Sequence, residues 1–441
     1  MGATMILNSS WLEGIACLVA AFAVVIGWRQ GRAWISLGLL VLIGGWVLGS
    51  AKGLLFPAGV GALAFVLLWK SDGRWRMAGL SLALGGLLVS AFFCWLFPLP
   101  EIPELPGPFA VGTMSFEVPA AGLAPALVAQ AWYPAKADPS KPRSRWLPNP
   151  ELAPAFPFHR IGSALARSQV DLDLSAALSR FPVIFYEHSW TGNRAENVAQ
   201  VASLASRGFV MIAVDHPGQS ERVRYRDGSV SLSRLPATIH FNTEKAVRDF
   251  ESLGLQSLNE RFENLRRVKQ ALGRGIAPRL AGRLNLDKVG IFGFSFGGTS
   301  ALHACALDPA FIAGANEDGY LLSDECPQGA FLFFDEEMPA WLSKQPGPGE
   351  CPEDRLQRRS EARIQTALAG KDRFRMVLDH TRHEAFTDRI FTCRIARLAR
   401  VGTRPAAEVH HLVTSRLAGF FQQELAEKLP LENPSPARSP E

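Results

Sequence analysis

Val289-Gly290-Ile291-Phe292 runs directly into Gly293-Phe294-Ser295-Phe296-Gly297, and the small residues Gly298-Thr299-Ser300-Ala301 follow. The apolar run is too short for a helix and reads as a buried strand, and the small-residue run reads as the first turn of a helix packed closely against it. The five residues between have the form G-x-S-x-G, which marks a sharp strand-to-helix turn with the serine at its apex. Glycines are needed on both sides because a Cβ there would meet the neighbouring strand and helix. Such a turn holds the serine in a strained conformation with its hydroxyl exposed, so Ser295 is the candidate nucleophile and Gly293 and Gly297 are its elbow glycines.

The same alternation extends outward. Leu127–Trp132, Phe181–Tyr186, Phe209–Val214, Lys288–Phe292, Phe311–Ala315, Ala330–Phe334 and Phe374–Leu378 read as strands, with helical patterns at about 194–207, 243–273, 297–307, 353–369 and 407–427. Strands and helices in alternation predict an α/β class with a mostly parallel sheet and helices on both faces. A run such as Phe209-Val210-Met211-Ile212-Ala213-Val214 suits a strand covered on both sides.

A serine hydroxyl is a weak nucleophile until a base takes its proton, and the base needs an acid to orient it. In folds built around this turn the chain order is serine, acid, histidine. Asp318 follows the strand Phe311–Ala315 and precedes Gly319, whereas Asp308 is too near the elbow helix and Glu317 is expected to point the opposite way. His380 and His383 both follow the strand Phe374–Leu378, and the residues alone leave either as the base. His303 lies on the elbow helix, and His410 and His411 lie in the last helix. A tetrahedral oxyanion needs two donors. The backbone N–H of Phe296 is one, and the loop His188-Ser189-Trp190-Thr191-Gly192 after an early strand is the source of the other.

The first hundred residues differ in kind. Four apolar stretches, at roughly 11–28, 33–50, 54–69 and 77–98, predict a bundle of about four transmembrane helices, since roughly 20 such residues cross a hydrocarbon core. Trp11, Trp28, Trp34, Trp69, Trp75 and Trp95 fall near their ends, as interfacial aromatics do. No Lys or Arg precedes the first stretch, which argues against a cleaved leader. None carries an ionisable residue at mid-depth, so the bundle reads as an anchor in a lipid bilayer rather than a transport path. Arg29, Arg32, Lys70, Arg74 and Arg76 concentrate positive charge in the first and third loops, which places these inside and the catalytic region on the extracytoplasmic (periplasmic) side of a multi-pass protein. The expected division is thus an anchor at 1–100, a catalytic domain at 101–429 after a Pro-rich exit, and a disordered Pro- and Ser-rich tail at 430–441.

The net charge of +5 is spread over scattered arginines, which excludes a nucleic-acid-binding stripe. Six cysteines with no C-x-x-C, and no H-E-x-x-H, imply neither a metal nor a cofactor. Cys326 and Cys351 bracket the strand Ala330–Phe334 and could pair in an oxidising compartment.

Taken together, Ala129-Gln130-Ala131-Trp132-Tyr133-Pro134-Ala135, the His188 loop, Val214-Asp215-His216, Gly293-Phe294-Ser295-Phe296-Gly297-Gly298 and His383-Glu384-Ala385-Phe386-Thr387-Asp388 resemble the platelet-activating factor acetylhydrolase family of the plasma and isoform II type, over roughly 107–425. The resemblance implies an α/β-hydrolase fold and calcium-independent hydrolysis of a short or oxidised acyl ester of a phospholipid. It selects His383 over His380 through the family's H-x-x-F-x-D form, agrees with the spacing from Ser295 to Asp318, and assigns the second oxyanion donor to the backbone of Trp190. Ser189 and Thr191 stand where the family has glycines, and Trp190 replaces a smaller apolar residue beside the acyl site. Fold and triad do not fix the leaving group, so a general short-chain esterase or lipase is the nearest rival. A membrane-tethered binding or sensing module is the rival from another class.

Overall fold

The structure is a computed structural model that describes residues 56–68, 73–101, 103–148, 152, 157–342, 344, 347 and 349–425. The expected spans at 11–28 and 33–50 and the expected tail at 430–441 lie outside the described residues. The chain divides into two compact units, one comprising Met1–Pro103, Arg143–Ala166 and Thr387–Ala406, the other Glu104–Pro142, Arg167–Phe386 and Ala407–Glu441.

In the first unit, helix α1 (Phe56–Leu68) and helix α2 (Gly73–Leu96) pack side by side, with Phe65, Leu80 and Ala83 forming a small apolar cluster. Gly61 allows the approach, because a Cβ there would come within 2.3 Å of the Leu82 carbonyl oxygen. Among the described residues, α2 is the one helix long and apolar enough to cross a membrane, by length and composition. Its 24 residues span about 36 Å against a hydrocarbon core of about 30 Å. The 13 residues of α1 span only about 20 Å. The carbonyls at the end of α2 have no intrahelical partner, and two arginines serve them. Arg160 Nη1 donates to Phe97 O at 2.8 Å, and Arg394 donates from its backbone N–H to Leu96 O and from Nε to Trp95 O, both at 2.9 Å. Residues 143–166 and 387–406, expected from sequence to lie with the catalytic region, therefore pack with the apolar helices instead. Trp146 and Asp388 hold those two segments to each other through an indole-to-carboxylate hydrogen bond of 2.6 Å.

The second unit is built on a sheet of β1 (Ala110–Val118), β2 (Leu127–Ala135), β3 (Leu165–Val170), β4 (Phe181–Glu187), β5 (Val210–Asp215), β8 (Leu284–Phe294), β9 (Phe311–Glu317), β10 (Ala330–Asp335) and β11 (Arg373–Val377), with the small hairpin β6 (Arg222–Arg224) and β7 (Val230–Leu232) apart from it. Within the second unit the order is β11-β10-β9-β8-β4-β5-β2-β1-β3. From β11 to β5 every neighbouring pair is parallel, and β2 pairs antiparallel with both β5 and β1. Strands β4, β5 and β10 are buried at every residue, as strands between two helical layers must be. The helices are α3 (Val198–Ser206), α4 (Glu244–Gly273), α5 (Phe296–Leu307), α6 (Pro352–Leu368) and α7 (Ala406–Leu425).

Helix α4 shows how pattern becomes packing. Thr243 caps it by accepting the Ala246 N–H at 3.1 Å. Val247, Gly254, Leu258, Arg261, Leu265, Val268 and Leu272 form its buried stripe, at the three- and four-residue spacing of one helical face. Each fully buried leucine or valine of that stripe contributes about 1.5–3 kcal/mol. Arg261 is the one charged side chain on it. Cys326 and Cys351 are free thiols rather than a disulfide. Cys351 caps α6 instead, its sulfur accepting the Asp354 N–H at 3.4 Å.

Candidate active site

The turn after β8 has the expected strain. Ser295 sits at φ 55° and ψ −124°, a combination that L-residues rarely adopt and that costs of order 1–3 kcal/mol. Its N–H donates to Glu317 O at 2.7 Å, so the neighbouring strand fixes the serine from below. A Cβ on Gly293 would lie 2.4 Å from the Gly297 carbonyl carbon, and one on Gly297 would lie 2.1 Å from Glu187 O. Both glycines are therefore steric requirements of the turn.

Ser295, Asp318 and His383 come together from the carboxyl ends of β8, β9 and β11, where ligands bind in sheets of this kind. His383 Nε2 is 3.1 Å from Ser295 Oγ, and His383 Nδ1 is 2.6 Å from Asp318 Oδ2. Burial acts to lower the imidazole pKa, but the hydrogen bond and charge of Asp318, with Glu384 and Glu336, hold it above its ordinary value. His380 is exposed, and His303 bonds Glu325 at 2.6 Å. Glu317 is buried, with Oε2 at 3.4 Å from Asn197 Nδ2, while Asp318 bonds His383.

Phe296 opens α5, so its N–H has no acceptor within the helix. Trp190 follows β4, and among the described residues its N–H makes no hydrogen bond. Its indole donates to Pro236 O at 3.0 Å, and its ring meets Phe296 edge-to-face at 4.9 Å and Phe250 at 5.2 Å. Ser295, His383, Trp190, Phe250, Met338 and Ile364 are among the residues that line a cavity of about 560 Å³. That volume suits a small organic ligand with an apolar portion. Among the described residues no group of three His, Cys, Asp or Glu side chains could hold a metal ion.

Several supporting residues escaped the sequence reading. Glu336, directly after β10, brackets Asp318 and His383: its N–H donates to Asp318 Oδ1 at 3.0 Å, and its Oε2 accepts the His383 N–H at 2.7 Å. Burial and the Asp318 charge raise its pKa. Glu196 accepts both the N–H of Ser189, at 2.8 Å, and its hydroxyl. Under the oxyanion loop lies a buried cluster in which Glu187 bonds His216 and Ser300, both at 2.9 Å, and pairs with Arg261. Burial works to raise the Glu187 pKa, but His216, Arg261 and Ser300 keep it below the usual carboxylate value. The arginine on an otherwise apolar helical stripe was the sequence signal for this cluster.

Comparison with known proteins agrees with this architecture. A family model for platelet-activating factor acetylhydrolase, isoform II, matches residues 96–325. The platelet-activating factor acetylhydrolase of Cavia porcellus is 25% identical over 249 residues, covering 50% of this chain and 56% of that protein. The chain thus spans about half the length of this curated relative. A ferulic acid esterase from Streptomyces cinnamoneus is similar in fold, with a TM-score of 0.55 at 20% identity, over 77% of this chain and 98% of that one. The fold is that of an α/β-hydrolase. Because the family model covers more than half of the residues, from the end of α2 through the elbow to Asp318, the chain belongs to the platelet-activating factor acetylhydrolase isoform II family.

Proposed function

We propose that this protein is a membrane-anchored serine carboxylic ester hydrolase that cleaves a short or oxidised acyl ester of a phospholipid-like substrate. The observation that carries the reading is His383 bridging Ser295 Oγ, at 3.1 Å, and Asp318, at 2.6 Å, beside a strained serine. Ser295 Oγ attacks the ester carbonyl carbon as its proton passes to His383 Nε2. Asp318 keeps the Nδ1 proton in place and stabilises the imidazolium. The N–H groups of Phe296 and Trp190 receive the oxyanion. The alcohol then leaves with the proton from His383, and water, activated by the same imidazole, releases the acid from the acyl-enzyme. No metal or cofactor enters the cycle.

A fluorophosphonate probe tests the chemistry: it should label the wild-type chain and leave Ser295→Ala unlabelled. Normal labelling of Ser295→Ala ends the assignment. A panel of acyl lengths and headgroups separates phospholipid-like esters from simple short-chain esters. Preference for simple esters would favour a general esterase, for which the wedged Trp190 ring at the site speaks. The anchor reading rests on α2, whose Leu82, Leu88, Val89, Phe92 and Trp95 are exposed and apolar. With four spans, charge bias puts the catalytic region outside the cytoplasm. Labelling a Ser439→Cys chain with an impermeant thiol reagent only after cell disruption would reverse that topology.

A further inference from the structure

We infer that Arg261 is a positioning residue for the oxyanion hole, setting the peptide plane that presents the Trp190 N–H to the reacting carbonyl. The inference rests on the esterase reading above. Arg261 is wholly buried, and its two terminal nitrogens donate to one loop. Nη1 donates to His188 O at 2.6 Å, Nη2 to Ser189 O at 3.0 Å and to Trp190 O at 3.4 Å, while Nε donates to Gln219 Oε1 at 2.9 Å. Three successive carbonyls are thus turned toward one cation. In a trans peptide the C=O of one residue and the N–H of the next point in opposite directions. Drawing Ser189 C=O toward Arg261 therefore turns the Trp190 N–H away from α4, and Trp190 lines the cavity shared with Ser295. A flipped peptide would aim a carbonyl oxygen at the oxyanion and repel it.

The same guanidinium lies over the Phe296 ring, 4.8 Å from its centroid, so Arg261 touches the residues of both donors. Its neighbours keep it in place. Glu187 Oε2 is 3.6 Å from Nη1, and the same carboxylate bonds Ser300 on the elbow helix. His188 Nδ1 lies 2.8 Å from Ser189 O, and its Nε2 lies 2.7 Å from Ser220 Oγ. The same Nδ1 lies 3.4 Å from Arg261 Nη2, so the imidazole, the guanidinium and the Ser189 carbonyl form one contact set. A planar fork can hold three carbonyls at once, whereas an ammonium cannot match that geometry.

The test is steady-state kinetics on the full-length Arg261→Lys and Arg261→Ala chains, normalised to active sites by fluorophosphonate titration. Losing one oxyanion donor costs about 10²–10³ in kcat, so both variants should lose kcat in that range while KM stays within a few-fold. Affinity for a trifluoromethyl ketone, which forms the tetrahedral adduct, should fall by the same factor. Millimolar guanidinium should restore part of the rate to Arg261→Ala and none to wild type. Unchanged kcat in a folded Arg261→Ala chain, or a loss confined to KM, overturns the inference. So does a lower kcat with undiminished ketone affinity. Should neither variant fold, Gln219→Ala removes the Nε acceptor, together with the Gln219 bonds to Ser257 O and Glu260, and leaves the Arg261 donors to the loop carbonyls in place. It should lower kcat at constant KM, and an unchanged kcat again overturns the inference. Failure of the esterase reading looks different, because Ser295→Ala would then keep its label whatever Arg261 does.

Discussion

The nucleophile elbow and the oxyanion loop face each other across the same cavity, yet they are held by opposite means. The elbow is held by exclusion of atoms: Gly293 and Gly297 have room for hydrogen alone, with Glu187 O and the Gly297 backbone where a Cβ would sit. The loop is held by addition of charge: Arg261 from α4 and Glu196 from beyond the loop bind its carbonyls, an N–H and a hydroxyl. A sterically fixed turn depends on residues adjacent in sequence. An electrostatically fixed loop depends on a residue 71 to 73 positions away. Burial lowers the Arg261 pKa to about 10, against the opposing pull of Glu187, so the cation survives at neutral pH. Removing one member of such a buried pair is destabilising by about 3–5 kcal/mol, because the other charge is left uncompensated.

The largest effect expected lies where the two regions meet the base. His383→Ala and Asp318→Asn should each lower kcat by about 10⁴-fold or more with folding intact, and near-normal turnover in either would remove that residue from the triad. Next comes the elbow itself. Gly297→Ala forces a Cβ toward a backbone oxygen that cannot rotate away, so it should destabilise the protein by about 3 kcal/mol and abolish labelling of Ser295. Calorimetry showing unchanged stability would mean the turn is not sterically fixed.

The pH profile gives a finer test. The proposed triad needs neutral His383, and a raised pKa means the imidazole stays protonated to higher pH. Activity present at high pH should then be lost as pH falls through a value above about 6.5. In Asp318→Asn the largest raising influence is gone and only Glu384 and Glu336 still oppose burial, so the acid limb of the residual kcat/KM should move to lower pH. An unmoved limb would detach the titration from this pair. The smallest effect belongs to His380→Ala, an exposed residue outside the contact set, which should keep kcat/KM within roughly tenfold of wild type. A dead His380→Ala enzyme would reassign the base.

Much of this was legible beforehand. The strand and helix runs were visible because a sheet covered on both faces needs unbroken apolar strands, and amphipathic helices need a 3.6-residue stripe. The antiparallel entry strand β1 and the short β3 were missed, since Ala110–Val118 is interrupted by Gly112 and Glu117 and Leu165–Val170 by Arg167. At the site, Ser295 was carried by its glycines and Asp318 by its place after a strand. The choice of His383 over His380 needed the family's motif.

By itself, then, the sequence determined what local sterics and periodicity can encode: the elbow around Ser295, the alternating layers, and the apolar character of α2. Only the tertiary structure decided which distant groups complete the site. Glu336 beside the Asp318–His383 pair and Glu196 on Ser189 carry no spacing signature, and Arg261, though odd on its apolar stripe, does not name the loop it reaches, because many of the groups these residues bind are backbone atoms that any residue supplies. Packing also decided that residues 143–166 and 387–406 join the apolar helices, where Arg160 and Arg394 serve carbonyls that a helix end leaves open. A backbone carbonyl looks the same in every residue, so which one an arginine reaches is settled by the fold that brings them together.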